Sequence, residues 1–224
     1  FDRRLSRGVS VLGAYTYSRS IDDESAQSGR VSGGAPQNYY NLKEQRGPSV
    51  FDRPQSMSAA FVWEVPFGRD LTGIAGALMR GWQINGIYAF ASGQPYTPTL
   101  SGDNSGTKNR QDRPNLVGQW KLSNPDPNRW VNEAAFSIPP KGSFGNAGRN
   151  VLRGPGTNNL DFSIGKTFAL GEMTDFAEFR AEMFNLPNHP QFYLPNRFVN
   201  SKLFGTVPRA RDGRQIQISL RFTF

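Results

Sequence analysis

Apolar and polar residues alternate with a period of two in several parts of this chain, most clearly over residues 214–224. From residue 215 onward one parity is wholly polar and the other wholly apolar; the apolar positions are Ile216, Ile218, Leu220, Phe222 and Phe224. Successive side chains of a β-strand point to opposite faces, so this segment is predicted to be a strand with one apolar face. Such a strand fits both the closing edge of a soluble sheet and, at about 9–11 residues, one crossing of a membrane by a β-barrel.

The same alternation predicts earlier strands, and the segments between them differ in length. The strands cover approximately residues 8–18, 55–67, 81–92, 160–170 and 177–183. Long segments rich in Gly, Pro and Asn, without sustained alternation, are predicted to be loops at 19–54, 94–159 and 186–213. The shorter connections are 68–80, in which an apolar patch over 74–79 has room for one or two helical turns, and 171–174.

The two strands around residues 171–174 are predicted to pair as a hairpin. Pairing Leu170 with Asp175 sets Thr167 opposite Glu178, Gly165 opposite Arg180 and Ser163 opposite Glu182. The charged side chains then share one face, and Lys166 is the exception on the apolar face, where its amine is expected to snorkel. We expect these polar side chains and one from the last strand to line a wet lumen: Glu178, Arg180, Glu182 and Arg221. The alternative is the solvated face of a soluble sheet.

Connection lengths favour the membrane alternative. If Phe224 ends on the periplasmic side, the three long loops all fall outside and the two shorter connections inside. Outer-membrane barrels have this asymmetry. The predicted fold class is therefore all-β, an antiparallel up-and-down meander that forms a partial transmembrane β-barrel with long extracellular loops. Trp63 and Trp82, near strand ends, fit an aromatic belt at the membrane interface. In a soluble protein they would be core residues.

Composition changes the picture only by what it excludes. The mean hydropathy of −0.56 predicts no transmembrane helix, whereas barrel strands dilute their apolar residues with polar ones. Cysteine is absent and His189 is the single histidine, so thiol chemistry and multi-histidine metal sites are not expected. No Gly-x-Ser-x-Gly motif occurs, and we expect no enzyme activity and no cofactor. The net charge of +8 is scattered through loops, so no nucleic-acid partner is expected.

Two features of the long central loop invite a specific interpretation. Acidic and amide side chains at Asp103, Asn104, Asn109 and Asp112 have the right chemistry for calcium, but their spacing does not match an EF-hand loop. The aromatic residues Trp120, Trp130 and Phe136 are predicted to anchor a folded loop.

The carboxyl end resembles the assembly signal of Gram-negative outer-membrane barrels. In those barrels the barrel-assembly machinery recognises a terminal phenylalanine preceded by apolar residues at every second position, the arrangement of Ile216, Ile218, Leu220, Phe222 and Phe224. The resemblance implies the barrel-assembly machinery and outer-membrane lipid as partners, and the outer membrane of a Gram-negative bacterium as the location.

Several phrases together resemble the barrel of TonB-dependent receptors, specifically the Oar-like group that often carries a carboxypeptidase-regulatory-like domain. They are Phe51-Asp-Arg-Pro54, Gly81-Trp-Gln-Ile-Asn-Gly86, Ser92-Gly-Gln-Pro-Tyr-Thr97, Phe144-Gly-Asn-Ala-Gly-Arg149, Arg153-Gly-Pro155, Phe179-Arg-Ala-Glu-Met-Phe-Asn185 and Asn188-His-Pro190. The resemblance implies that residues 1–224 are the C-terminal part of a barrel of about 22 strands. It implies as further partners the remainder of the barrel, a plug, and the TonB complex acting through an N-terminal part upstream, which would also hold the signal peptide.

The expected function is uptake of a ligand across the outer membrane by a TonB-dependent transporter or receptor. The alternatives are a surface-binding or adhesion barrel that does not transport, and a soluble β-sheet binding protein. The sequence does not identify the ligand. On its own the segment is expected to form a curved open sheet or to aggregate, because lipid does not tolerate unpaired sheet edges.

Overall fold

β-Structure dominates the computed structural model, which describes residues 2–5 (backbone only), 8–24, 36–68, 70–110, 112–170 and 175–224. The strands are β1 Asp2–Leu5, β2 Val9–Tyr17, β3 Ile21–Asp22, β4 Gly47–Pro48, β5 Gln55–Glu64, β6 Trp82–Ala91, β7 Pro95–Tyr96, β8 Asn115–Leu116, β9 Lys121–Asp126, β10 Arg129–Val131, β11 Phe136–Ser137, β12 Leu152–Arg153, β13 Thr157–Ala169, β14 Phe176–Phe184 and β15 Gln215–Thr223. The helix α1 spans Gly73–Met79, and short 3₁₀ turns cover Leu42–Gln45 and Glu133–Ala135.

The main sheet confirms the predicted all-β antiparallel meander. In the described part of the chain it holds seven strands in the order β1-β2-β5-β6-β13-β14-β15, each antiparallel to the next. β5 ends at Glu64 rather than at Phe67 because Pro66 has no N–H to donate to a ladder. β1 was not predicted, since four residues with the sequence Asp-Arg-Arg-Leu show no alternation.

The sheet is open at both sides. Among the described residues, β1 pairs only with β2, β15 pairs only with β14, and no ladder joins β1 to β15. The structure therefore shows a meander of barrel strands without showing a closed barrel. Both outer edges present backbone N–H and C=O groups without a neighbouring strand.

Pairing registers collect the apolar residues of the strands on one face. Phe162 lies opposite Gly86 and Met183, Ile164 opposite Ile84 and Ala181, and Leu220 opposite Phe179. The predicted hairpin register is confirmed, with Thr167, Gly165 and Ser163 opposite Glu178, Arg180 and Glu182. We call the side that carries Phe162, Ile164 and Leu220 the apolar face. The opposite side, which carries Glu178, Arg180 and Glu182, is the polar face.

Connections sort by length between the two ends of the sheet. Residues 18–54, 92–156 and 185–214 join strands at one end, which we call the long-loop edge. Residues 65–81 and 170–175 join strands at the other end, the short-turn edge. The predicted turn at 171–174 lies outside the described residues. The predicted helical turns of the 68–80 connection are confirmed as α1.

The hydrophobic core lies in the long connections. We call their described residues the loop layer. The segment 94–159, predicted to be a long loop, contains β7 to β12 and most of the buried apolar residues. The core residues are Tyr96, Val131, Ala135, Phe136, Leu152 and Phe204, with Trp120 and Trp130 packed against them. The predicted anchoring role of Trp120, Trp130 and Phe136 is therefore confirmed. Alternation failed to reveal these strands because most have two or three residues.

No helix in the described ranges is long and apolar enough to cross a membrane.

Candidate functional site

The polar face carries a ladder of charges in the last three strands. Arg180 Nη2 lies 2.7 Å from Glu178 Oε1, and Arg180 Nη1 lies 3.9 Å from Glu182 Oε1. Arg221 on β15 is directly opposite Glu178. The structure therefore brings together all four polar residues that the sequence predicts as a site. They remain partly exposed, so each ion pair contributes about 1 kcal/mol or less to stability. The charged groups themselves stay accessible from solvent.

A pocket of about 430 Å³ opens at the short-turn end of this ladder. Glu64, Gln83 and Asn85 line one side, and Glu178 and Arg180 line the other. Asn85 Nδ2 donates a hydrogen bond to Ser163 Oγ at 3.1 Å, which ties β6 to β13 beneath the pocket. Both signs of charge and several amides converge here. Such a surface can bind polar solutes through hydrogen bonds without selecting one sign of charge.

Ion pairs that the sequence did not predict hold the loop layer together. Arg149 pairs with Asp22, and its Nε donates to Gln45 O at 2.5 Å. Arg153 pairs with Asp52, and its Nη1 donates to Gly93 O at 3.1 Å. Arg149 is 2% exposed and Asp52 1%, so these charges are shielded from water and coupled tightly.

The short phrases that carry the family resemblance meet in this network. Asp52 belongs to the first phrase and Arg153 to a later one, and a Cβ added to Gly93 would lie 1.8 Å from Gly154 O. The absence of a side chain at Gly93 lets the two ends of the connection 92–156 touch, so these phrases hold the loop layer together. Their Asp, Arg and Gly residues in Pro-rich loops are the signal by which the network could have been found in the sequence.

The candidate calcium side chains have a structural role. Asp112 is fully buried, and its Oδ2 accepts hydrogen bonds from the backbone N–H groups of Asn104 at 2.6 Å and Ser105 at 2.8 Å. Asp103 Oδ2 accepts the N–H of Lys108 at 3.0 Å. Across the described residues, no group of three His, Cys, Asp or Glu side chains is placed to hold a metal.

A second pocket, of about 320 Å³, lies where the first and second long connections meet. Its lining includes Gln37, Glu44 and Arg113. Arg113 is 3% exposed; its Nη1 donates to Glu44 O at 3.3 Å, and its Nη2 has no hydrogen-bond partner. Burial lowers the pKa of Arg113 to about 10, although Glu44 acts in the opposite direction. The Nη2 group is thus a buried donor without a partner among the described residues.

The terminal strand presents its apolar side chains on the apolar face. Ile216, Ile218, Leu220, Phe222 and Phe224 are all exposed, and the rings of Phe222 and Phe224 stack with centroids 6.3 Å apart. On β14, Met183, Ala181, Phe179 and Ala177 lie opposite Ile216, Ile218, Leu220 and Phe222, in that order. The face that they share is a large exposed apolar surface, which an aqueous protein rarely presents.

His189, the single histidine, lies exposed in the loop after β14. Its backbone N–H donates to Asn185 Oδ1 at 3.0 Å, and its carbonyl accepts from Asn185 Nδ2 at 2.9 Å. The described contacts of this residue shape a turn.

Comparison with known proteins identifies the kind of sheet that this is. A family described as "Outer membrane beta barrel domain" matches residues 1–217. No curated protein and no solved structure matches the chain. An outer-membrane domain accounts for the exposed apolar face, because barrel strands turn that face to lipid. The chain belongs to the outer membrane β-barrel domain family and is located in the outer membrane of a Gram-negative bacterium.

Proposed function

We propose that residues 1–224 form the C-terminal part of a TonB-dependent receptor barrel that takes up a ligand across the outer membrane. The observation that carries this proposal is the pair of unpaired edges on a seven-stranded sheet within the described residues. An edge left open in hydrocarbon exposes backbone groups that lipid cannot satisfy, so further strands must cover β1 and β15. The motif resemblance supplies their number, about 15 more in a barrel of about 22.

The loop layer is the proposed site of ligand capture. Because long loops of outer-membrane barrels face outward, the long-loop edge is placed at the cell surface. Gln37 and Glu44 line a pocket there, together with Arg113. Its amide and charged side chains favour a polar ligand that forms hydrogen bonds.

The polar face supplies the proposed path through the barrel. Glu178, Arg180, Glu182 and Arg221 would line the lumen, where both signs of charge give a polar solute successive weak contacts. A plug held inside the barrel would control entry, and the TonB complex would move it. None of these steps makes or breaks a covalent bond, so the proposal requires neither catalytic residues nor a cofactor.

The terminal strand has a separate proposed role in assembly. Ile216, Ile218, Leu220, Phe222 and Phe224 alternate on or just beyond an edge strand, which leaves their side chains and the free edge of the β15 backbone available to the barrel-assembly machinery.

A surface-binding or adhesion barrel is the second candidate, and the loop layer favours it. Its own hydrophobic core, with Phe136 and Phe204 rings 5.3 Å apart, gives these loops a packed surface of their own. The soluble alternative is excluded by the family match, which places the chain in the outer membrane.

The decisive experiment combines the flanking coding sequence with a binding assay. We expect an upstream plug-like domain and a signal peptide, and we expect the full-length protein in detergent to bind the immobilised periplasmic domain of its host's TonB. A variant that lacks the plug-like domain is the control and should not bind. Barrel strands without a plug, or a full-length protein that binds no better than the control, would overturn transport and favour the adhesion barrel.

A further inference from the structure

The α1 helix turns its large apolar side chains away from the protein. Ile74 and Leu78 follow the i, i+4 spacing of one helical stripe and are 81% and 59% exposed. Gly76 lies on the opposite side of the helix and is buried. In an ordinary amphipathic helix the large apolar residues would face the core, so this stripe needs a partner other than the described residues.

A lysine places the end of this helix on the apolar face of the sheet. Lys166 is opposite Trp82 and Phe179 in register, which puts its side chain on the apolar face, yet it is only 2% exposed. Its Nζ donates to Leu78 O at 2.9 Å and also to Arg80 O. Trp82 Nε1 donates to the same Leu78 carbonyl at 3.0 Å. The last turn of α1 therefore covers the short-turn end of the apolar face.

The contacts of Lys166 account for a cation on a face that otherwise meets lipid. A charged side chain facing lipid is costly unless its donors are satisfied. Here the ammonium meets carbonyls at the negative end of the helix and lies 5.1 Å from the centroid of the Trp82 ring and 4.7 Å from that of Phe168. These contacts hold the last turn of α1 against the short-turn ends of β6 and β13.

The exposed stripe is continuous with the surface that the family places in lipid. Phe67 is exposed and contacts Trp63 edge to face, with ring centroids 6.2 Å apart. Trp63 lies opposite Ile84 on the apolar face. Gly68, the next residue, packs against the end of α1, since a Cβ added to it would lie 2.6 Å from Met79 Cβ. The apolar face therefore reaches α1 past the strand ends through Phe67.

We infer that Phe67 and residues 71–79 form a membrane-interface foot whose apolar stripe inserts into the bilayer leaflet on the short-turn side. The foot lies in the plane of the membrane, as amphipathic interfacial helices do, and Lys166 holds it. The partner of the stripe is phospholipid. The stripe extends a surface that the family places in lipid, and α1 carries no acidic residue that would favour water. This inference rests on the outer-membrane family and is independent of whether the protein transports a ligand.

Spin labels in the full-length protein, reconstituted into phospholipid vesicles, test the foot directly. Single cysteines are placed at Ile74→Cys and Leu78→Cys, with Asp70→Cys as the matched control just before the helix. Power-saturation EPR compares collisions with oxygen, which enters lipid, and with a water-soluble nickel chelate. At positions 74 and 78 we expect the oxygen-to-nickel collision ratio to exceed that at position 70 several-fold. A ratio equal to the control, or low access to both reagents as under a covering protein, would overturn the inference.

A second variant tests the role of Lys166. Lys166→Met keeps the length of the side chain and removes the donors to Leu78 O and Arg80 O, so the label at position 78 should become more mobile while the unboiled protein still migrates as a folded barrel. Lys121→Met, at an exposed position in the loop layer, should leave the label unchanged. Unchanged mobility in Lys166→Met would show that the lysine does not hold the foot. If that variant fails to fold, the labels at 74 and 78 in the otherwise unaltered protein still decide whether the foot is in lipid.

Discussion

At the scale of single residues, burial in this protein is concentrated in loops. Tyr96, Leu152 and Val131 are almost fully enclosed, whereas most large apolar strand residues of the apolar face are exposed or half-exposed. A barrel sheet meets lipid on one face, so it needs no packed protein core on that side. The stability of the loop layer therefore depends on its own few buried side chains.

The hydroxyl of Tyr96 gives the first prediction. Tyr96 is 1% exposed and its hydroxyl has no hydrogen-bond partner, so Tyr96→Phe should leave the unfolding free energy of the loop layer unchanged or raise it by up to about 1–3 kcal/mol. Urea-induced opening, followed by intrinsic fluorescence, measures the change. Tyr40→Phe, at a fully exposed site, is the control. A clear loss of stability in Tyr96→Phe would mean that the hydroxyl has a partner in solution.

The same tyrosine predicts a dependence on pH. Burial raises the pKa of Tyr96 above its ordinary value of 10.0, so the folded state retains a proton that the unfolded state releases. Stability contributed by this group is present below pH 10 and falls as the pH rises above 10. Tyr96→Phe should lose less stability than the natural protein between pH 9 and pH 11, a range that spans about one unit on each side of the ordinary tyrosine pKa.

The buried guanidinium of Arg149 gives the second prediction. Arg149→Met removes one partner of Asp22, whose carboxylate is only 25% exposed, and the donors to Gln45 and Gly47. Breaking such a pair should cost about 3–5 kcal/mol, less the part that water restores to Asp22. Outer-membrane vesicles should show faster proteolysis in the loop layer for Arg149→Met. Arg129→Met, at an exposed position, should be cleaved at the natural rate; equal rates for both variants would contradict the prediction.

At the scale of elements, the β13–β14 hairpin sets the division into two faces. Leu170 N–H donates to Asp175 O, and hydrogen-bonded pairs alternate with non-hydrogen-bonded ones along an antiparallel ladder. The pairs Phe168–Ala177 and Lys166–Phe179 are therefore also hydrogen-bonded. Thr167 and Glu178 form one of the intervening pairs, in which opposite side chains approach most closely. A slip of one residue would move Glu178 and Arg180 to the apolar face, which makes the register the critical property of this hairpin.

A cross-link measures that register. Thr167→Cys with Glu178→Cys places two Cβ atoms about 4.5–5.5 Å apart, so a disulfide should form on mild oxidation. The natural chain has no cysteine, and counting free thiols by mass spectrometry detects the bond. Thr167→Cys with Ala177→Cys is the control, because position 177 is opposite Phe168 and points to the other face. A cross-link in the control and none in the test pair would show a slipped register.

At the scale of the whole molecule, the two ends of the sheet differ in what they carry. The long-loop edge supports a folded layer with its own core, and the short-turn edge carries α1 and the short connection between β13 and β14. Outer-membrane barrels place their longer loops outside the cell. The direction in which the sheet crosses the membrane follows from this difference.

Labelling of intact cells tests that direction. Tyr40→Cys, at a fully exposed residue of the loop layer, should react with a membrane-impermeant maleimide in intact cells. Asp70→Cys, at the short-turn edge, should react only after the outer membrane is permeabilised. The opposite result would invert the sheet and place the loop layer in the periplasm.

The sequence by itself determined the strands of the main sheet except β1, the register of the β13–β14 hairpin and the two faces. Alternation is a local property: Ile216 to Phe224 specify an apolar face whatever surrounds them, and the short connection at 171–174 fixes how Thr167 meets Glu178. The family resemblance rested on loop phrases, and the outer-membrane part of its implication is confirmed. The transport function stays a prediction.

Only the tertiary structure decided where the core lies and what α1 faces. Arg149 meets Asp22 across 127 residues, and Arg153 meets Asp52 across 101, so no local pattern could pair them. Strands of two residues in the loop layer form because distant segments meet, and β1 pairs with β2 without any alternation of its own. In the sequence, the stripe on α1 was visible only as an apolar patch. Its outward direction depends on Lys166, which is buried beneath the helix and holds it on the sheet.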